Sequence, residues 1–153
     1  ISYADTPRHK RRAAVVRVLL TIESGDLTIS AADDAIHCDY TLQIGAEGTD
    51  GPAISITDCD EGLEAAALHV ASGDIRIRAS DDCLNAANSD LSGFDFSMDI
   101  SGGTISAYTT DGDGFDSNGS MTISGGTPPE KPDGGTPPER LDNASEPPEP
   151  GNL

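Results

Sequence analysis

Apolar and polar residues alternate in short runs that come in pairs, with an acidic stretch between the two runs of each pair. The first runs are Leu27-Thr28-Ile29, Ile54-Ser55-Ile56, Ile75-Arg76-Ile77 and Ile105-Ser106-Ala107. The second runs are Leu42-Gln43-Ile44, Leu68-His69-Val70, Met98-Asp99-Ile100 and Met121-Thr122-Ile123. A period of two is typical of β-strands with one buried face. The pattern therefore predicts a repeated unit of strand, acidic corner and strand.

The repeat has the length of one solenoid coil. Equivalent corner positions recur after 27, 21 and 31 residues, counted from Asp34 through Glu61 and Asp82 to Asp113. Each corner adds one more apolar residue, and these are Ile36, Leu63, Leu84 and Phe115. A β-sandwich is disfavoured because Asn-Gly or Asp-Gly turns between paired alternating runs occur only at the loops around Asp50-Gly51 and Asp111-Gly112. We therefore predict an all-β fold, a parallel β-helix (β-solenoid) of about four to five coils.

Three segments follow from the repeat. Residues 1–23 are predicted to form a basic N-terminal arm and a capping strand, residues 24–127 the β-helix, and residues 128–153 a Pro-rich C-terminal linker or tail. The β-branched residues within 13–22 favour a strand, with a short helix as the alternative. Proline removes backbone donors and favours extended polyproline II, so the tail cannot join a strand ladder. No evident cap covers the last coil, which leaves end-to-end assembly open.

The composition excludes some classes of partner and restricts the core. The chain has 27 acidic residues against nine Lys and Arg, a formal net charge of −18, so nucleic acid is not an expected partner. No apolar run approaches the roughly 18 residues that span a bilayer, so no membrane insertion is expected. Aromatic residues make up 4% of the chain and Trp is absent, which favours a narrow core of small aliphatic side chains.

The three cysteines, Cys38, Cys59 and Cys83, lack CxxC spacing and histidines at zinc-finger spacing, so a structural zinc finger is not predicted. The odd number leaves at least one thiol unpaired within the chain. Cys59 and Cys83 lie near equivalent turns of neighbouring coils. A disulfide between them and a pair of small buried thiols remain alternatives.

Stacking the repeats aligns the corner residues in three columns: Asp33, Asp60, Asp81 and Gly112; Asp34, Glu61, Asp82 and Asp113; and His37, Glu64, Asn85 and Asp116. Neighbouring coils lie about 4.8 Å apart, and like charges at that separation repel unless a cation bridges them or a proton binds. The corners therefore predict a Ca2+ site, because Ca2+ accepts oxygen ligands in irregular geometry. The candidate ligands are Asp33, Asp34, Asp60, Glu61, Glu64, Asp81, Asp82, Asn85, Asp111, Asp113, Asp116 and Asn118. The densest set lies between residues 111 and 118; the alternative is that Asp, Asn and Gly form turns there without metal.

Several of these segments resemble one protein family. Residues 30–37 (Ser-Ala-Ala-Asp-Asp-Ala-Ile-His), 79–88 (Ala-Ser-Asp-Asp-Cys-Leu-Asn-Ala-Ala-Asn), 111–119 (Asp-Gly-Asp-Gly-Phe-Asp-Ser-Asn-Gly) and 121–127 (Met-Thr-Ile-Ser-Gly-Gly-Thr) are similar to bacterial extracellular carbohydrate-binding β-helix proteins related to family 9 pectate lyases. The resemblance covers residues 24–127. It implies a right-handed parallel β-helix, secreted or displayed on the cell surface, with bound Ca2+ and affinity for cellulose and polygalacturonate.

Pectate lyase chemistry needs a base, commonly Lys or Arg in related β-helices. Between residues 24 and 127 the basic residues are Arg76 and Arg78, with His37 and His69 besides. The two arginines alternate outward on one strand and are suited to neighbouring acids or a ligand. His37, in a corner, is either a turn residue or a ligand. We therefore expect a protein that is not an enzyme.

The expected function is that of a calcium-binding, non-catalytic module for an extracellular polysaccharide of the plant cell-wall type. Because Tyr40 and Tyr108 are the aromatic residues available for stacking, anionic or calcium-bridged glycans such as uronates are favoured over crystalline cellulose. The expected location is extracellular or the cell surface. Two alternatives remain: a calcium-stabilised filament built by head-to-tail self-assembly, and a pectate-lyase-like enzyme.

Overall fold

The computed structural model describes residues 14–16 and 18–127, which form twelve β-strands and no helix. In chain order the strands are β1 (Ala14–Val16), β2 (Leu19–Ile22), β3 (Asp26–Ser30), β4 (Ile36–Ile44), β5 (Ala53–Asp58), β6 (Leu63–Val70), β7 (Asp74–Ala79), β8 (Leu84–Ala86), β9 (Ser97–Ile100), β10 (Thr104–Thr109), β11 (Phe115–Ser117) and β12 (Ser120–Ile123).

All strand pairs are parallel, and they belong to two sheets. The four-stranded sheet has the order β10-β7-β5-β3, one strand from each coil. The eight-stranded sheet follows the path β1-β4-β6-β8-β11, with β2 beside β4 and with β9 between β6 and β12. Each coil thus gives one strand to the first sheet and one or two to the second. The predicted all-β parallel solenoid, of about four turns, is confirmed.

Apolar columns run through the core from coil to coil. Leu42 pairs with Leu68 and Leu68 with Met98 in the strand register, and all three side chains are fully buried. In the other sheet Ile54 and Ile75 pair in the same way. Among the described residues, the buried hydrophobic set contains Ala, Cys, Val, Ile, Leu and Met but no aromatic residue. Small aliphatic side chains therefore fill the narrow interior, as the composition predicts.

The two ends of the described solenoid are apolar. Strands β1 and β2 pair in parallel with β4, so the residues before Ser24 form strands as predicted, and the ladder begins at Ala14. The side chain of Leu19 is 56% exposed at this end, and that of Ile123 is 60% exposed at the other. Beside Ile123 lies a cavity of about 220 Å³ that Ile105 and Phe115 also line. Residues 1–13 of the predicted N-terminal arm, 1–23, and the predicted Pro-rich tail, 128–153, lie outside the described residues.

All three cysteines are buried and unpaired, so the proposed disulfide between Cys59 and Cys83 is not formed. Burial raises the pKa of the Cys59 thiol to about 12. The thiols behave as small apolar core residues, which was the other alternative. In the part of the chain described, no helix is long and apolar enough to cross a membrane.

The core columns lead to a stability prediction. Leu68→Ala should lower the free energy of unfolding by about 3 kcal/mol. The substitution leaves a cavity between Leu42 and Met98, and the strand register prevents these neighbours from closing it. Thr28→Ala, at an outward and exposed position of β3, should change it by less than about 0.5 kcal/mol. Urea denaturation measures both variants. Equal losses would contradict the inward and outward assignment of the strands.

Candidate metal centre

The strand register brings four corner side chains into one column. His37 pairs with Glu64, Glu64 with Asn85, and Asn85 with Asp116. This is the alignment that the repeats predict. Each residue is the second of its strand in the eight-stranded sheet, so the column follows the edge at which the chain enters that sheet.

A second column lies three residues earlier in the chain and contains Asp34, Glu61, Asp82 and Asp113. Backbone hydrogen bonds hold these corners together: the N–H of Ala35 donates to Glu61 O (2.8 Å), that of Gly62 to Asp82 O (2.9 Å) and that of Cys83 to Asp113 O (3.0 Å). Each coil therefore carries one pair of polar side chains, three residues apart. Between them the four coils place six carboxylates, one amide and one imidazole along a single edge.

In the first coil the imidazole of His37 stands among carboxylates. Its Nδ1 lies 3.3 Å from Asp34 Oδ2 and hydrogen-bonds Glu64 Oε2, while its Nε2 donates to Asp39 Oδ1 at 3.0 Å. The hydrogen bonds to Asp34 and Glu64 raise the pKa of His37 from 6.5 to about 10. Without metal, His37 is therefore an imidazolium at neutral pH and supplies a positive charge inside the acidic edge.

Between the second and third coils, the described residues include no basic side chain that supplies a positive charge as His37 does. The amide nitrogen of Asn85 donates to Glu61 Oε2 at 3.1 Å. Burial, followed by the charge of Glu64, raises the pKa of Glu61 to about 7. Asn85 is only 8% exposed, and its Oδ1 is a buried oxygen without a hydrogen-bond partner. A buried, unsatisfied amide oxygen is energetically unfavourable, so this oxygen marks a place where a further donor or a cation would be stabilising.

Between the third and fourth coils the backbone supplies a donor. The N–H of Asp113 donates to Asp82 Oδ1 at 2.7 Å. Gly112 permits this approach, because a Cβ at that position would lie 2.6 Å from the same oxygen. Burial raises the pKa of Asp82, and the charges of Asp81, Asp116 and Asp113 raise it further. The negative field therefore extends to the last described coil.

The other predicted ligands lie beside these columns. The corner backbone links Asp60 N–H to Asp33 O (3.1 Å) and Asp81 N–H to Asp60 O (2.9 Å), as the predicted stacking requires. Asp111 and Asn118 are exposed, and their backbone N–H groups donate to Ser80 O and Ala86 O. Within the described residues no side-chain contact joins Asp111 or Asn118 to the columns. The structure thus places Asp34 and Glu64 against His37, and it joins Asn85 to Glu61 by a hydrogen bond and to Asp116 in the strand register. Among the described residues, only Asp34, His37 and Glu64 bring three ligand atoms of His, Cys, Asp or Glu within 4.8 Å of one another.

Sequence reasoning missed Asp39. It lies at a β-bulge, where β4 has two residues between Cys38 and Thr41 and the paired strand β6 has one. The amide of Asn88, in the loop between β8 and β9, donates to Asp39 O at 2.9 Å and fixes the bulge. The available signal is the spacing of the apolar residues: Leu42 follows Ile36 by six positions, whereas Leu68 follows Leu63 by five.

The loop between β8 and β9 also builds an aromatic cluster that the sequence did not reveal. The rings of Tyr40 and Phe94 meet edge to face with centroids 5.9 Å apart, and Phe94 lies 5.7 Å from Phe96. Tyr40, next to Asp39, is 40% exposed. An aromatic surface therefore adjoins the histidine end of the acidic edge.

Comparison of the chain with protein-family profiles, with curated proteins and with solved structures yields no match.

The pKa of Glu61 predicts a pH dependence for the metal-free protein. Because this pKa is about 7 in the folded state and 4.5 as the ordinary value, the folded state binds the proton more tightly. The contribution of Glu61 to stability should therefore be most favourable below pH 4.5 and should be lost as the pH rises to about 7. Glu61→Gln should remove this part of the decline, and the exposed Glu23→Gln should not. Thermal melting in EDTA between pH 4.5 and 7 measures this decline in stability. A Glu61→Gln variant with the same pH profile as the wild type would contradict the raised pKa of Glu61.

Proposed function

We propose that this protein is a non-catalytic, calcium-binding β-solenoid module that binds an extracellular polysaccharide of the plant cell-wall type, with a uronate as the favoured sugar. The buried Oδ1 of Asn85, which has no hydrogen-bond partner, carries the calcium part of the proposal, because a cation beside this neutral oxygen would have the carboxylates of Glu61, Asp82 and Asp116 in the same and the adjoining coils. The resemblance of residues 24–127 to carbohydrate-binding β-helix proteins supports the glycan and the extracellular location.

The donor set fits Ca2+ in its chemistry. It consists of oxygen atoms, from three carboxylates and one amide, and Ca2+ is a hard cation that prefers such ligands. Burial and the charges of neighbouring carboxylates raise the pKa values of Glu61 and Asp82, and a bound cation would stabilise the ionised form of both groups. The ligands come from three successive coils, so a bound ion would hold those coils together.

The Asp116→Asn variant should distinguish a calcium-binding site from an acidic surface that binds no ion. It removes one ligand charge and one source of repulsion, so the metal-free variant should melt higher than the wild type while its calcium affinity falls at least about tenfold. Asp50→Asn, in an exposed loop away from the columns, is the matched control and should bind Ca2+ normally. Calorimetric titration and thermal melting of EDTA-treated protein measure both quantities. A wild type without any calcium response would refute the calcium site.

The outer face of the four-stranded sheet is the candidate glycan surface. Its outward side chains are mostly short and polar, such as Thr28 and Ser55, and they border a shallow groove with Asp74 and Arg76. Arg76 pairs with Asp74 at 2.8 Å. A flat parallel sheet with hydroxyl and guanidinium groups at regular spacing offers hydrogen-bond partners to an extended sugar chain.

Arg78 and Tyr108 form the most distinctive contact on this face. The guanidinium carbon of Arg78 lies 4.6 Å from the centre of the Tyr108 ring, and both side chains line a second shallow groove with Asp58 and Thr110. Among the described residues, Arg76 and Arg78 are the only Lys or Arg side chains. They are therefore the expected contacts for a sugar carboxylate, with Tyr108 available for stacking.

The same placement supports a non-catalytic role. Arg76 and Arg78 project from β7 in the four-stranded sheet, whereas Glu64, Asn85 and Asp116 begin strands of the other sheet. A lyase needs its base next to the calcium-bound uronate. The pectate-lyase-like enzyme therefore remains the less favoured alternative.

A second candidate function, a head-to-tail filament, is favoured by the apolar ends. Leu19 and Ile123 are exposed at opposite ends, and a cavity of about 220 Å³ opens at the C-terminal coil. The inner columns end in apolar residues at both ends, with Ile22 at one and Ile123 at the other. Another copy could continue these columns, and calcium would then stiffen the stack.

Glycan binding is tested on the arginine face. In affinity electrophoresis through polygalacturonate with Ca2+, Arg78→Ala and Tyr108→Ala should each weaken retention about fivefold, equivalent to about 1 kcal/mol. Thr122→Ala, exposed on β12 of the other sheet, should not change it.

Three outcomes would contradict the proposal in different ways. Equal retention of wild type and both variants would refute the assigned surface. Unsaturated products absorbing in the ultraviolet would support the lyase. Concentration-dependent fibres without glycan retention would support the filament.

A further inference from the structure

The first coil departs from the others by placing an imidazole where the next coils have Glu64, Asn85 and Asp116. One ligand atom each from Asp34, His37 and Glu64 lies within 4.8 Å of the other two. The side chains of Asp34 and His37 are 6% and 5% exposed, and that of Glu64 is 14% exposed. The cluster is therefore enclosed, but Glu64 reaches the surface and leaves a short path to solvent.

The two ring nitrogens of His37 have different surroundings. Nε2 donates to the single oxygen Asp39 Oδ1, whereas Nδ1 faces the oxygens of both Asp34 and Glu64. A histidine that binds a metal commonly has this arrangement: one nitrogen donates to a carboxylate, which fixes the ring, and the other binds the ion together with further ligands. The bulge of β4 and the hydrogen bond from Asn88 hold Asp39 in the orienting position.

We propose that Asp34 Oδ2, His37 Nδ1 and Glu64 Oε2 form a binding site for a divalent transition-metal ion such as Zn2+, with Asp39 as a positioning residue. This site is separate from the calcium site proposed above and does not depend on it.

The donor types determine the class of metal. Imidazole nitrogen suits Zn2+, Co2+ and Ni2+, whereas Ca2+ prefers oxygen alone. Zn2+ binds nitrogen and carboxylate oxygen at about 2.0–2.2 Å, and three protein ligands leave a fourth position for water or an external ligand. Three carboxylates surround one imidazole in this enclosed cluster, so a divalent ion would also reduce its excess of negative charge.

Co2+ binding to EDTA-treated protein tests the proposal, because imidazole and carboxylate ligands give Co2+ a visible absorption band. The wild type should bind one Co2+, keep the band in excess Ca2+ and lose it to Zn2+. His37→Gln should abolish the band. Asp39→Asn keeps all three ligands and should weaken Co2+ binding about 10- to 100-fold. His69→Gln, on an outward position of β6, is the matched histidine control and should behave as wild type.

Several results would overturn the site. The absence of the band in the wild type would show that His37 forms an internal ion pair only. The same conclusion would follow if His37→Gln and Asp39→Asn both gave the same band as the wild type. Displacement of Co2+ by Ca2+ would show that the cluster belongs to the oxygen site. If His37→Gln fails to fold, the Co2+ affinity of Asp39→Asn compared with that of His69→Gln still tests the site. A wild type that binds Co2+ but does not bind Ca2+ would refute the calcium proposal and leave the site at His37 standing.

Discussion

In-register parallel stacking is the constraint on which the rest of this structure depends. Parallel strands of successive coils place equivalent residues directly above one another, so each position of the repeat becomes a column. Inside the solenoid this is favourable: Leu42, Leu68 and Met98 bury one another completely. At the corner the same register is unfavourable, because Asp34, Glu61, Asp82 and Asp113 cannot move apart without breaking the backbone ladder that buries the core.

The four coils relieve this repulsion by different means. In the first coil His37 supplies an internal positive charge. In the second, the pKa of Glu61 is raised to about 7, so this carboxyl group keeps its proton to a higher pH than usual. The third replaces a carboxylate by the neutral Asn85, and the fourth donates the N–H of Asp113 to Asp82. These differences divide one acidic edge into two chemically distinct parts, a histidine-containing cluster and a set of oxygen ligands, and each part accounts for its own proposed metal.

The two sheets have different surfaces, and this difference organises the proposed function. The edge of the eight-stranded sheet concentrates negative charge, which favours cations. The four-stranded sheet presents hydroxyl groups, two arginines and Tyr108 on its outer face, which favours an extended polar ligand. Because both surfaces arise from one repeat, a cation at the edge would stiffen the coils that carry the glycan face. The exposed apolar residues at the two ends of the described solenoid add a third surface, on which the filament alternative rests.

The sequence by itself determined the coil. Period-two alternation and the recurring acidic corners predicted the strands, their inward residues and the alignment of His37 with Glu64, Asn85 and Asp116, because a parallel ladder converts spacing along the chain into position in space. Only the tertiary structure decided which polar side chains meet. The bulge at Asp39, the contact from Asn88 and the burial of Asn85 depend on loops whose paths no periodicity encodes. Side-chain chemistry at the corner is therefore set by local departures from the repeat, whereas the repeat alone sets the fold.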